Sequence, residues 1–86
     1  MSEIKTLDKV LPSAQTILGN HLLANGNAIL GETQLRFTEN TGITINGVRF
    51  IGGVYGAAAI ALQAEAERRG RATALTAKET LRTIRA

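Results

Sequence analysis

The chain has 86 residues, 44% apolar and only 3% aromatic, and its 10 Lys+Arg against 7 Asp+Glu leave a formal charge of +3. One domain is expected at this length. A chain this small buries only about 60% of its unfolded surface, so oligomerisation would help it. With no cysteine, a disulfide framework, a cysteine zinc site and a catalytic thiol are excluded, and the apolar content speaks against disorder.

Met1-Ser2-Glu3-Ile4-Lys5 mixes charges and has no apolar core, so it does not read as a signal peptide. The apolar run between Arg49 and Glu65 falls short of the ~20 apolar residues that span a bilayer. The expectation is a soluble, cytoplasmic protein.

Along the chain, Leu7, Leu11, Ala14, Leu18 and Leu22 form one helical stripe. Pro12 interrupts it, because an interior proline lacks the N–H and clashes with the previous turn. A short turn near 6–11 and a helix over about 12–24 follow, ended by Asn25-Gly26. Leu35 and Phe37 then alternate with polar neighbours. Asn46-Gly47 is a strong hairpin signal, because both central residues of a type I′ turn take positive φ. That turn pairs Ile45 with Val48, Thr44 with Arg49 and Ile43 with Phe50. The result is a three-stranded antiparallel meander with an apolar face and a polar face showing Arg36 and Arg49.

After Gly52-Gly53, residues from Val54 to about Arg69 read as a helix of good helix formers, stopped by Gly70. Thr76 and Glu79 form a capping box for a last short helix, with Leu81 and Ile84 on its apolar side and Arg82 and Arg85 at its end. The expected fold class is therefore α+β: an N-terminal helix, a three-stranded antiparallel meander, and two C-terminal helices packed on one sheet face. Residues 1–86 form a single small domain with a basic C-terminal segment, 68–86.

Two features carry functional expectations. The helix is apolar nearly all round from Val54 to Leu62, and a helix apolar on every side is buried on every side. It is the central core helix, an oligomer interface, or both, and Val54, Ala57, Ala58, Ala61 and Leu62 are the interface candidates. Charge is also uneven: residues 1–67 hold four basic and six acidic side chains, and residues 68–86 hold six and one. Arg68, Arg69, Arg71, Lys78, Arg82 and Arg85 would face an anionic partner, or are simply solvated.

Catalytic constellations are not found. Ser13 and the single His21 stand eight residues apart on one helix, about 12 Å along its axis, too far for a Ser–His pair. Glu65 and Glu67 diverge around the helix, and no metal set exists with one His and no Cys. Gly52-Gly53-Val54-Tyr55-Gly56 lacks the dinucleotide and P-loop patterns and reads as a packing turn. Residues 65–79 meet only part of the helix-turn-helix pattern, and stacking platforms for single strands need rings that this sequence buries.

The reading is a non-catalytic binding or assembly protein. It would homo-oligomerise through the Ala-rich helix, with its basic segment facing nucleic acid or an acidic protein surface. No cofactor, metal, membrane or small-molecule substrate is expected. The alternatives are a dimeric DNA-binding regulator, helped by Arg36 and Arg49, and a small inhibitor or adaptor docking on a larger protein.

Overall fold

The structure, a computed structural model, describes residues 13–85. The expected turn near 6–11 and the Leu7–Leu11 end of the helical stripe lie outside the described residues. Helix α1 (Ala14–Asn25) opens on Ser13, whose Oγ accepts the Thr16 N–H at 3.1 Å, and closes on left-handed Gly26. Four strands follow: β1 (Asn27–Leu30), β2 (Thr33–Thr38), β3 (Gly42–Ile45) and β4 (Val48–Phe50). Helix α2 (Gly53–Arg68) comes next, then α3 (Ala77–Thr83), and the chain ends in the two-residue strand β5 (Ile84–Arg85).

The class is α+β, as expected, but the meander is larger. It is a five-stranded antiparallel sheet in the order β4-β3-β2-β1-β5. The hairpin register matches the one expected from the turn, with Ile45 opposite Val48, Thr44 opposite Arg49 and Ile43 opposite Phe50. Asn46 (φ 51°) and Gly47 (φ 85°) both take the positive φ that this turn demands.

The two unforeseen strands have short signals. Strand β1 is four residues, with Ala28 and Leu30 buried and Asn27 and Ile29 on the other face. It reverses into β2 through Gly31-Glu32, which pairs Leu30 with Thr33. Strand β5 consists of Ile84 and Arg85 alone, too few residues to show a period. It exists because α3 delivers the chain alongside the free edge of β1, where Ile84 pairs with Leu30 and Arg85 with Ile29.

Helices α1 and α2 pack on one face of the sheet, whereas α3, expected on that face with α2, packs on α1 instead. Leu18 and Leu22 of α1, Leu62 of α2, and Leu30 and Leu35 of the sheet are buried together. Each contributes about 1.5–3 kcal/mol relative to an exposed side chain. Ala57, Ala58 and Ala61 are fully buried and let α1 and α2 approach closely. At Gly19 the approach leaves no room for a side chain, since a Cβ there would sit 2.4 Å from the Tyr55 ring. The Tyr55 hydroxyl donates to Asn20 Oδ1, and Gln15 Nε2 donates to the Tyr55 carbonyl at 2.8 Å.

Helix α3 packs on α1. Its capping box is present as expected: Glu79 N–H donates to Thr76 Oγ1 at 3.2 Å, and Thr76 N–H donates to Glu79 Oε1 at 2.7 Å. Its inward face differs from expectation. Leu81 points to solvent and Thr80 is buried, with its hydroxyl satisfied by the Thr76 carbonyl at 2.9 Å.

Candidate functional site

The five residues read as an oligomer surface lie in the core of the single chain. Val54 is 9% exposed, Leu62 2%, and Ala57, Ala58 and Ala61 0%. Of the two readings of the apolar helix, the observed burial is that of a central core helix. Its solvent face carries Tyr55, Ala59, Ile60, Gln63 and Glu67 instead. The sheet completes the cover that the three expected strands could not supply, because β1 lies between β2 and β5 and brings Ala28 and Leu30 into the core.

The basic C-terminal segment divides in two. Arg68 and Arg69 clasp one carboxylate. Arg68 donates to Glu65 Oε1 through Nε at 3.0 Å and Nη2 at 2.7 Å, and Arg69 Nε donates to Glu65 Oε2 at 3.1 Å. The same guanidinium groups reach outward, Arg68 to Thr33 Oγ1 at 2.7 Å and Arg69 to Thr83 Oγ1 at 3.1 Å. The cluster thus ties the end of α2 to β2 and α3.

Glu65 is 7% exposed. Burial alone would raise its pKa, but the hydrogen bonds and charges of Arg68 and Arg69 outweigh that and hold it below the usual carboxylate range. Gly31 makes the room: a Cβ there would lie 2.1 Å from Glu65 Oε1, and its φ is +62°.

Arg71 pairs with Glu79 across the 70–75 loop. The Thr76 backbone N–H and then the Arg71 guanidinium lower the Glu79 pKa to about 2. These three arginines are therefore structural clamps, three cations held by two carboxylates, so one of their positive charges is left unneutralised. Among the described residues, no carboxylate pairs with Lys78, Arg82 or Arg85. Lys78 and Arg82 are exposed on α3, in the helical layer.

Arg85 lies elsewhere than the helix end where it was expected. Strand β5 sets it opposite Ile29, on the solvent face of the sheet. That face is built from the alternate positions of each strand: Asn27 and Ile29, Gln34, Arg36 and Thr38, Thr44, Arg49 and Arg85. It holds three arginines and no carboxylate. Arg49, Thr44, Arg36 and Asn27 form one cross-strand row, and Gln34, Ile29 and Arg85 form the next.

At about 4.8 Å per strand, Arg36 stands about 10 Å across the sheet from Arg49 and from Arg85, and the edge arginines are about 19 Å apart. At about 10 Å in water, each neighbouring pair of charges repels by only about 0.4 kcal/mol before screening. The fold therefore tolerates this field, although it gains no contact from it. Gln34, Arg36, Thr44 and Gly47 line a hollow of about 200 Å³ on this face. That is below the roughly 300 Å³ at which small-molecule pockets begin, so it fits one group of a larger ligand.

His21 is half-buried, and its Nε2 has no hydrogen-bond partner among the described residues. Of the glycines after β4, Gly52 serves packing as expected, since a Cβ there would lie 2.5 Å from the Phe50 ring, whereas Gly53 has open space around it and takes a φ of +83°. Among the described residues, no group of three His, Cys, Asp or Glu is placed to hold a metal. Nor is any described helix long and apolar enough to cross a membrane. Compared with protein-family models, curated proteins and solved structures, the chain matches none of them.

Proposed function

We propose that this protein is a small, non-catalytic, cytoplasmic binding module whose solvent-facing sheet surface holds the phosphate backbone of a nucleic acid. The observation that carries the reading is the set Arg36, Arg49 and Arg85 on one exposed face without a carboxylate. Arginine's planar fork suits phosphate oxygens. The amides and hydroxyls between the arginines (Asn27, Gln34, Thr44) are the other side-chain types that contact backbone phosphates.

An acidic protein is the weaker partner for this face. Protein interfaces centre on buried aromatic or large anchors, and here the only large apolar side chain is half-buried Ile29. Lys78 and Arg82 add to the positive field from the helical layer. Homo-oligomerisation is not needed for this role, and any self-association would have to use residues other than the buried five of α2.

The test is fluorescence anisotropy with a short labelled nucleic acid over a salt series. Three neutralised phosphates predict a log–log slope of about −2.7 on duplex DNA. Absence of binding at low salt, or binding that salt does not weaken, would refute the proposal.

A further inference from the structure

We infer that the nucleic acid held by this face is a double helix, gripped by its backbone without regard to sequence. The inference rests on the reading just proposed and specifies the form of the ligand.

Single-strand binders draw about 1–3 kcal/mol per base from stacking on aromatic side chains. This chain has two Phe and one Tyr, and none is on the basic face. Phe37 and Phe50 are turned to the core side of the sheet, and Tyr55 is on α2 with its hydroxyl bound to Asn20. The face has cations and hydrogen-bond donors but no ring on which a base could stack. A single strand would gain little beyond its charge, and a duplex carries more charge per unit length.

Sequence reading is limited by shape. A major groove about 12 Å wide admits a helix or a two-stranded ribbon, whereas this sheet is about 19 Å across. The β3–β4 hairpin is the natural ribbon, but it does not stand free of the sheet. Asn46 N–H donates to the Gln34 carbonyl at 2.7 Å, and Asn46 Oδ1 accepts the Gln34 N–H at 2.8 Å. The hairpin tip is thereby bound to β2, and the face meets the outside of the duplex as one surface. Arg36, Arg49 and Arg85 then reach separate phosphates rather than base edges. The shared chemistry is a double-helical phosphate backbone, which DNA and RNA duplexes both supply.

The test is competition against a labelled DNA duplex by four unlabelled oligonucleotides at equal nucleotide concentration. They are the same duplex, a DNA duplex of unrelated sequence, an RNA duplex and a single strand. The expected result is that the unrelated duplex competes within about twofold of the labelled sequence and the single strand at least about tenfold more weakly. The RNA duplex should also compete better than the single strand, and one that competes no better would overturn a grip on the double-helical backbone itself. A single strand that competes as well as the duplex, or an unrelated duplex that fails to compete, would overturn this inference while leaving nucleic-acid binding intact. If the labelled duplex does not bind but a labelled single strand does, only the duplex assignment fails. If neither binds, the function itself fails.

Discussion

The molecule has two arginine-rich regions that differ in what answers their charge. Arg68, Arg69 and Arg71 are held by Glu65 and Glu79, and two of them also bind hydroxyls on β2 and α3. Arg36, Arg49 and Arg85 face solvent beside amides and hydroxyls, with no carboxylate on their face. The first region is the denser in sequence, and the second has its charge free to meet a ligand. Charge counted along a chain is thus a poor guide to charge offered at a surface, because an acid one helical turn away can neutralise it.

Reversing two charges, Arg36→Glu with Arg49→Glu, should lower duplex affinity by about 100-fold at low salt and reduce the salt slope by about 2. Anisotropy measures both. The melting temperature should hold, since neither side chain is buried.

The next effect breaks the clamp. Gly31→Ala forces a methyl group into the Glu65 carboxylate and strains a positive φ, costing about 2–3 kcal/mol. For a chain of this size that lowers the melting temperature by more than about 8 °C.

Glu65→Gln should destabilise by about 2 kcal/mol, the scale of lost hydrogen bonds to charged groups, as read by urea denaturation. It should not weaken duplex binding, because it frees two cations rather than removing any. This variant separates structural from binding arginines more sharply than deletion of an arginine would.

The smallest effect is graded and depends on pH. Glu65 and Glu79 both have folded pKa values below their ordinary 4.5. Their contribution to stability is therefore fully present above about pH 5 and is lost as pH falls through the folded values, near pH 2 for Glu79. Thermal melts from pH 7 down to pH 3 should fall progressively below pH 5 and stay nearly flat above it as far as these two groups are concerned.

Much of this was legible in the sequence, and the losses have physical reasons. Asn46-Gly47 determined a hairpin register that the structure reproduces pair for pair, because that turn geometry permits only one register. The capping box at Thr76 and Glu79 was equally local and equally readable. Strands β1 and β5 were hidden because four and two residues show no usable period, and β5 is a strand only by virtue of its neighbour.

The apolar all-round helix announced burial, but burial within a chain and burial between chains leave the same pattern. In the single chain the extra strand β1 enlarges the core, and the five candidate residues are buried in it. The clamp did have a signal. Glu65 precedes Arg68 and Arg69 by three and four residues, the spacing at which helix side chains meet, and that pairing could have removed two arginines from the anion-facing set. The polar face with Arg36 and Arg49 was visible, but Arg85 could join it only once the fold placed β5 against β1.

The most direct test of which arginines meet the ligand is an amide chemical-shift titration of the isotope-labelled protein with a short DNA duplex. If the sheet face meets the phosphates, the largest shifts fall in β2, β4 and β5, around Arg36, Arg49 and Arg85, with residues 65–71 nearly still. Shifts concentrated at 65–71 and absent from the sheet would contradict it, and would return the binding role to the arginines that the structure shows clasped to Glu65 and Glu79.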